Sequence, residues 1–168
     1  LAEEAVAALG LTVWPMVEFE ADDALATAAT RFQKEGGVEQ IVVCSPDKDL
    51  AQLVTGGRII CWDRRREIEL DEDGVVEKFG VGPDKVIDVQ SLAGDSADNV
   101  PGVPGIGIKT AALLINEYGD LETLLARASE IKQNKRRENL IEFADQARIS
   151  HGLVTLSQDV PVEEGIES

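Results

Sequence analysis

The chain has 168 residues and a net charge of −16, with 43% hydrophobic and 29% charged residues. That size and balance provide one domain with a full core and room for a smaller lobe, and they exclude a disordered chain. No apolar run approaches the roughly 18 residues of a membrane helix, no signal peptide is visible, and so large an acid excess excludes a surface that holds nucleic acid by charge alone.

Taken in chain order, residues 1–9 read as the end of a helix stopped by Gly10, and "LTVWPMVE" reads as a strand. In "FEADDALATAATRFQ", Leu25, Ala28, Ala29 and Phe32 follow the i, i+3, i+4, i+7 spacing of a helix. "EQIVVCS" is a β-branched run, as in a parallel strand covered on both faces. Ser45 can cap a following helix with Pro46 in its first turn, giving "SPDKDLAQLV". "RIICWDRRREIEL" suggests a pair of short strands, and "DEDG" a turn. Cys44 and Cys61 fall in these apolar runs and read as buried free thiols of a reducing cytoplasm. "DKVIDVQSLAG", "IKTAALLINEYG", "DLETLLARASEI" and "RRENLIEFADQARISHGLVTL" all read as helices. His151, the single histidine, excludes a His-based metal cluster and reads as a surface or packing residue. Strands alternating with helices up to residue 90, then helices alone over 91–168, imply an α/β lobe followed by a helical lobe.

Residues 1–100 hold 21 acids against 9 bases, and residues 101–168 hold 11 against 7. Three acidic groups stand out by position. Glu20, Asp22 and Asp23 lie where a strand hands over to a helix, and Asp47 and Asp49 follow the strand "IVVCS". Asp95 and Asp98 close the helix before a glycine-rich turn. Ligands of open α/β sheets bind beyond the carboxyl ends of the strands, so the first two groups belong on one rim and the third can fold over it. Each has an ordinary alternative, because acids in a first helical turn gain about 0.3–1 kcal/mol from the macrodipole. Asp98 before Asn99 can equally be a turn residue. Together they are harder to explain away. Two carboxylates about 5 Å apart repel by about 3 kcal/mol at an effective dielectric of 20. A rim of them needs protons or cations, and all-oxygen ligands suit Mg²⁺ or Mn²⁺. Carboxylates holding two such ions are a known route to phosphodiester hydrolysis.

"GVPGIGIKTA" is neither a Walker loop nor a dinucleotide fingerprint, since Ile108 follows Gly107 and no strand precedes it. It offers a tight turn between helices, where Gly102, Gly105 and Gly107 let the backbone approach a ligand. The following helix start, with Lys109 and Thr110, suits a phosphate. An ordinary helix–helix connection is the plain alternative, but DNA-backbone contact is favoured. Lys132, Lys135, Arg136 and Arg137 read equally as an extension of that surface or as a solvated helix end.

"FEADDALA", "SPDKDLAQLV", "GDSADNVPGVPGIGIKTAALLINEYGDLETLL" and "LVTLSQDVPV" together resemble the bacterial 5′–3′ exonucleases of the flap endonuclease superfamily. These comprise the 5′-nuclease domain of DNA polymerase I and stand-alone relatives. The resemblance covers nearly the whole chain. It implies a PIN-like parallel-sheet lobe, here its C-terminal part over 1–90, and a helix-three-turn-helix DNA-binding lobe over 91–168. It implies cleavage of 5′ flaps and of 5′ ends of duplex DNA with two divalent ions, in replication and repair in the bacterial cytoplasm. By motif, Glu20, Asp22, Asp47, Asp49, Asp95 and Asp98 resemble the catalytic set, and with Asp23 they resemble the metal ligands. Val100 to Lys109 resembles the segment that grips duplex backbone and whose carbonyls can hold K⁺. Ser45 and Pro46 stand where many relatives have Thr-Gly. A DNA polymerase is the partner the resemblance suggests.

The family pattern opens with an aspartate-tipped strand, then a further aspartate and a basic helical arch. None of these precedes Leu1, so the chain reads as roughly the last two thirds of such a nuclease, with impaired cleavage expected. Two other readings compete: a DNA-junction binding module that no longer cuts, and a topoisomerase–primase type domain. The second gives no reason for "GVPGIGIKTA".

Overall fold

The computed structural model describes residues 1–35 and 37–162. Helix α1 (Ala2–Ala8) buries no residue and ends at Leu9, with Gly10 in the left-handed region. Helix α2 (Ala21–Lys34) starts from a reciprocal cap in which the Glu20 N–H donates to Asp23 Oδ2 at 3.1 Å. Its buried face is made of small residues, Ala24, Ala26, Thr27, Ala28 and Ala29. Alanines keep the helix close to the strand and the 3₁₀ turn beneath it.

Strand β1 (Ile41–Val43) pairs parallel with β2 (Ile59–Asp63), Val42 opposite Ile60, and β2 pairs antiparallel with β3 (Ile68–Leu70). The sheet is therefore small and mixed, in the order β1-β2-β3. The strand pair expected in "RIICWDRRREIEL" is this hairpin. β1 is covered on one face rather than two, since Val43 is buried while Val42 is 43% exposed. Cys61 is buried and Cys44 is exposed, so only one of the two thiols is in the core. "LTVWPMVE" forms no strand, because Pro15 lacks an N–H and no described strand pairs with it. Val17 there is 96% exposed.

Two other readings give way to local capping. "SPDKDLAQLV" is not an α-helix but a loop leading into a 3₁₀ helix over Asp49–Leu53. Ser45 Oγ takes the Asp47 N–H and Asp47 Oδ1 takes the Asp49 N–H, at 3.1 and 2.9 Å, so nested side-chain turns replace the helix start. "DEDG" is the opening of helix α3 (Glu72–Phe79): Asp71 caps the Gly74 N–H, Val75 and Phe79 enter the core four residues apart, and Gly80 ends it with φ +76°.

The remaining helices are α4 (Val86–Ala93), α5 (Ile108–Tyr118), α6 (Leu121–Ala126), α7 (Asn134–Glu142) and α8 (Ala144–Val154). α4 is the hub, packed on α5, α6, α8 and the 3₁₀ helix. Its Val86, Val89 and Leu92 are fully buried, and one continuous core runs from Ala26 and Val43 to Leu140 and Ala147. After α8 the chain returns to α2. Ser157 N–H donates to Asp23 Oδ1 at 2.8 Å, Val160 N–H to Thr27 Oγ1 at 3.2 Å, and Arg31 donates to the Val162 carbonyl at 2.7 Å.

A candidate metal centre and nucleic-acid interface

The three acidic groups come from three elements. Glu20, Asp22 and Asp23 sit at the start of α2, Asp47 and Asp49 follow β1, and Asp95 and Asp98 lie in a tight loop after α4. That loop is closed by reciprocal backbone bonds between Asp95 and Val100, at 2.8 and 2.7 Å, with Asn99 in the left-handed region. Glu20 and Asp98 are exposed, while Asp22, Asp23, Asp47, Asp49 and Asp95 are half-buried. Both oxygens of Asp23 accept backbone N–H groups, from Glu20 and Ser157, so this carboxylate works as a structural fastener.

Their fields overlap. Burial pushes the Asp22 carboxyl up to about 6, with Asp47, Asp49, Glu20 and Asp23 adding to the rise. Burial also raises Asp49; the Gln90 amide opposes that rise, Asp47 and Asp98 add to it, and Lys48 opposes it. Lys48, between Asp47 and Asp49 in sequence, places its ammonium on Asp95 and within 3.7 Å of Asp98. An internal cation thus stands against the third acidic group. The donor set, all hard oxygens, fits Mg²⁺ or Mn²⁺ in chemistry. Among the described residues, no three His, Cys, Asp or Glu side chains are gathered closely enough to enclose an ion.

Beside Asp47 lies a cavity of about 170 Å³ lined also by Ser45, Cys61, Arg66 and Lys78. Burial, with the nearby charges of Lys48 and Arg66, lowers the Lys78 ammonium. Basic groups therefore adjoin the acids in an otherwise acidic protein.

The glycine turn divides by role. Gly102 is buried at φ +59°, and a Cβ there would meet Gly94 N at 2.4 Å. Its freedom serves the crossing of two backbones, not approach to a ligand. Its N–H donates to Ser150 Oγ at 3.1 Å and its carbonyl accepts from Gln146 at 2.6 Å. Gly105 (φ +77°) and Gly107 are exposed, and nothing among the described residues lies within 4 Å of a Cβ at Gly107. Gly107 precedes α5 with no side-chain cap among the described residues, so the Ile108 and Lys109 N–H groups lack an intrahelical acceptor, while Thr110 and Ala111 donate to the Gly107 carbonyl at 2.9 Å. Lys109 is exposed and Thr110 half-buried. Arg137 is tied to the Ile131 carbonyl and Asn134, which withdraws it from any extended basic surface.

Lys48, Gln90 and the clamp of Asn139, Gln146 and Ser150 join the site without standing out in the sequence pattern. Asn139 donates to the Pro104 carbonyl at 2.7 Å, so α7 and α8 hold the turn from behind. Gln90 is 1% exposed and donates through Nε2 to Asp49 Oδ1. Its one visible signal is an amide within the buried run of α4. His151 lies 3.7 Å from Asp88 in a hollow of about 360 Å³ that none of the candidate residues lines.

Two sequence families divide the chain between them. Residues 1–80 match the 5′-3′ exonuclease N-terminal resolvase-like domain, and residues 81–168 match the 5′-3′ exonuclease C-terminal SAM fold. DNA polymerase I of Rhizobium leguminosarum is 48% identical over 163 residues, covering 97% of this chain and 16% of that protein. DNA polymerase I of Bacillus subtilis is 37% identical over 163 residues, covering 95% and 18%. The chain thus spans less than a fifth of these relatives. Among solved structures, bacteriophage T5 flap endonuclease in complex with DNA and metal ions superposes with a TM-score of 0.81 at 21% identity, over 90% of this chain and 55% of that one. The T5 5′-exonuclease with bound zinc ions gives 0.80 at 23% identity, over 89% and 55%. These two likenesses are of fold.

Proposed function

The chain belongs to the 5′-3′ exonuclease family, and from that premise we propose that it serves metal-dependent hydrolysis of DNA phosphodiesters at 5′ ends and 5′ flaps, in bacterial replication and repair. The polymerase relatives support attachment to, or work beside, a DNA polymerase, and a cytoplasmic setting. No described helix is long and apolar enough to cross a membrane. The observation that carries the reading is the convergence of acids from two separate elements, Glu20, Asp22 and Asp23 at the start of α2 and Asp47 and Asp49 after β1, near enough that the other four add to the upward push of burial on the Asp22 carboxyl. Carboxylates crowded and perturbed in this way cluster at functional sites, and a bound cation would relieve their repulsion.

Glu20, Asp22, Asp47, Asp49, Asp95 and Asp98 would hold two Mg²⁺ or Mn²⁺ ions, with Asp23 contributing only through the lone pairs that its two backbone N–H partners leave. An ion bound there supplies a Lewis acid for the phosphoryl oxygen and lowers the pKa of a coordinated water. The Asp47 carboxylate holds the Asp49 N–H with Oδ1 and accepts no second hydrogen bond among the described residues, so Oδ2 is free to ligate. Lys48 neutralises Asp95 and Asp98 while they lack an ion.

At the turn, the open N–H groups at the start of α5, with Lys109 and Thr110, would take phosphates of duplex DNA without reading bases. Gly105 and Gly107 allow that approach, and Gly102 supports it from inside. The K⁺ suggested by the resemblance would have to share carbonyls, because those of Gly102, Val103, Pro104 and Gly107 already accept hydrogen bonds.

One observation favours the second reading, a non-cleaving DNA module: no three described acids are gathered to enclose an ion. Labelled 5′-flap and 5′-overhang duplexes, incubated with Mn²⁺ or with EDTA, separate the two. Metal-dependent shortening that Asp47→Asn abolishes supports the nuclease. Duplex binding that ignores metal and Asp47→Asn, with no shortening, refutes it.

A further inference from the structure

We propose that Gln90 is a positioning residue for the Asp49 carboxylate, and through it for a divalent cation in the acidic cluster; this rests on the metal reading above. Gln90 lies on α4 among Val86, Val89 and Leu92, and its side chain is 99% withdrawn from solvent. An apolar residue of the same length would fill that space without desolvating an amide.

The amide is not there for its own satisfaction. Nε2 donates to Asp49 Oδ1 across 41 residues of sequence, while Oε1 is buried with no donor among the described residues. Turning the amide over does not mend this, because a carboxylate only accepts and would then face an oxygen. One half of the side chain therefore costs stability. The other half acts entirely on Asp49.

Asp49 needs such a partner. It opens a 3₁₀ helix of five residues that follows a loop, so its own backbone holds the carboxylate weakly. Gln90 reaches it from the rigid hub helix of the molecule. By occupying Oδ1 it fixes the carboxylate plane and leaves Oδ2 to face a cation. Groups that orient metal ligands in this way typically change affinity 10–100-fold when removed. A simple tie between α4 and the 3₁₀ helix is the competing explanation, and it predicts a different pattern.

The test compares the wild-type chain with Gln90→Met and Gln90→Glu. Mn²⁺ binding is followed by calorimetry or by the electron paramagnetic resonance of free Mn²⁺, and thermal melting is measured in EDTA. Met keeps the volume and removes the donor; Glu keeps the length and sets a second carboxyl against Asp49, so that the pair takes up a proton that a cation must displace. Positioning requires that Gln90→Met melts in EDTA at or above the wild-type temperature yet binds Mn²⁺ about 10–100-fold more weakly. Gln90→Glu should bind at least as weakly as Gln90→Met. Unchanged Mn²⁺ affinity in Gln90→Met overturns the proposal. So does a loss of affinity matched by a lower melting temperature in EDTA, or failure to fold, since either marks a structural tie. If the wild-type chain itself binds no Mn²⁺, the metal reading falls and takes this inference with it.

Discussion

Asp22→Asn should stabilise the metal-free protein, and the size of the gain can be worked from the site. The Asp22 carboxyl is raised from an ordinary 3.8 to about 6 by burial and by Asp47, Asp49, Glu20 and Asp23. At about 1.4 kcal/mol per pH unit, that is about 3 kcal/mol against ionisation at neutral pH. Asp22 is only half-buried, so solvent screening reduces the figure by about half. Losing a charge that favours the α2 macrodipole takes back about 0.3–1 kcal/mol. The net gain is about 1 kcal/mol, or about 2–4 °C in melting temperature for a chain of this size. The sign follows from linkage. A carboxylate raised in the folded state binds more protons there than in the unfolded chain between pH 3.8 and about 6. Wild-type stability therefore falls as pH rises through that window, and the cost is complete above it. Melting in EDTA at pH 7.5 should show the full benefit of Asp22→Asn, shrinking to nothing towards pH 4. No gain at pH 7.5, or an equal gain at both, would refute the argument that like charge crowds this site.

Lys48→Met should lower the EDTA melting temperature, because it leaves the Asp95 side chain, 10% exposed, without its cation; about 1–2 kcal/mol is expected. Mn²⁺ should then restore more degrees than in wild type. Gly102→Ala should cost about 2–5 kcal/mol through its φ of +59° and a 2.4 Å clash with Gly94 N, whereas Gly107→Ala, in open space, should melt within about 2 °C of wild type. Lys109→Ala should weaken binding to all duplex sequences alike and reduce the slope of log affinity against log salt by about one phosphate contact; a loss confined to some sequences would contradict backbone contact.

What could be read from sequence depended on how local the signal was. Helix α2 carries its own periodicity, α4 and α5 their glycine stops at Gly94 and Gly119, and the β2–β3 hairpin its own turn. The start of helix α3 looks like a turn in sequence, because "DEDG" reads as punctuation until Asp71 is seen as its cap and Val75 and Phe79 as its buried face. "LTVWPMVE" has strand composition, but a strand is made by its neighbour, which no residue type announces. The acids were found because charges grouped at element ends stand out. Their partners were not: Lys48 reaches Asp95 across the fold, Gln90 reaches Asp49 from another helix, and Asn139, Gln146 and Ser150 hold a turn 35–48 residues away. Such pairings exist only after folding. Gly102 was assigned to ligand approach on its type alone, and its neighbour Gly94 explains it instead.

The return of the chain to α2 sets an order of events. Asp23 accepts the Ser157 N–H and Thr27 the Val160 N–H, contacts spanning 134 and 133 residues. Closing so long a loop comes late in folding, since its entropy must be lost before the contact repays it. On a ribosome, α2 can form while the last helices are still being made, but Asp23 stays unfastened until Ser157 has emerged. The neighbourhood of Glu20 and Asp22 would then reach its final shape only after the helical part is synthesised and docked.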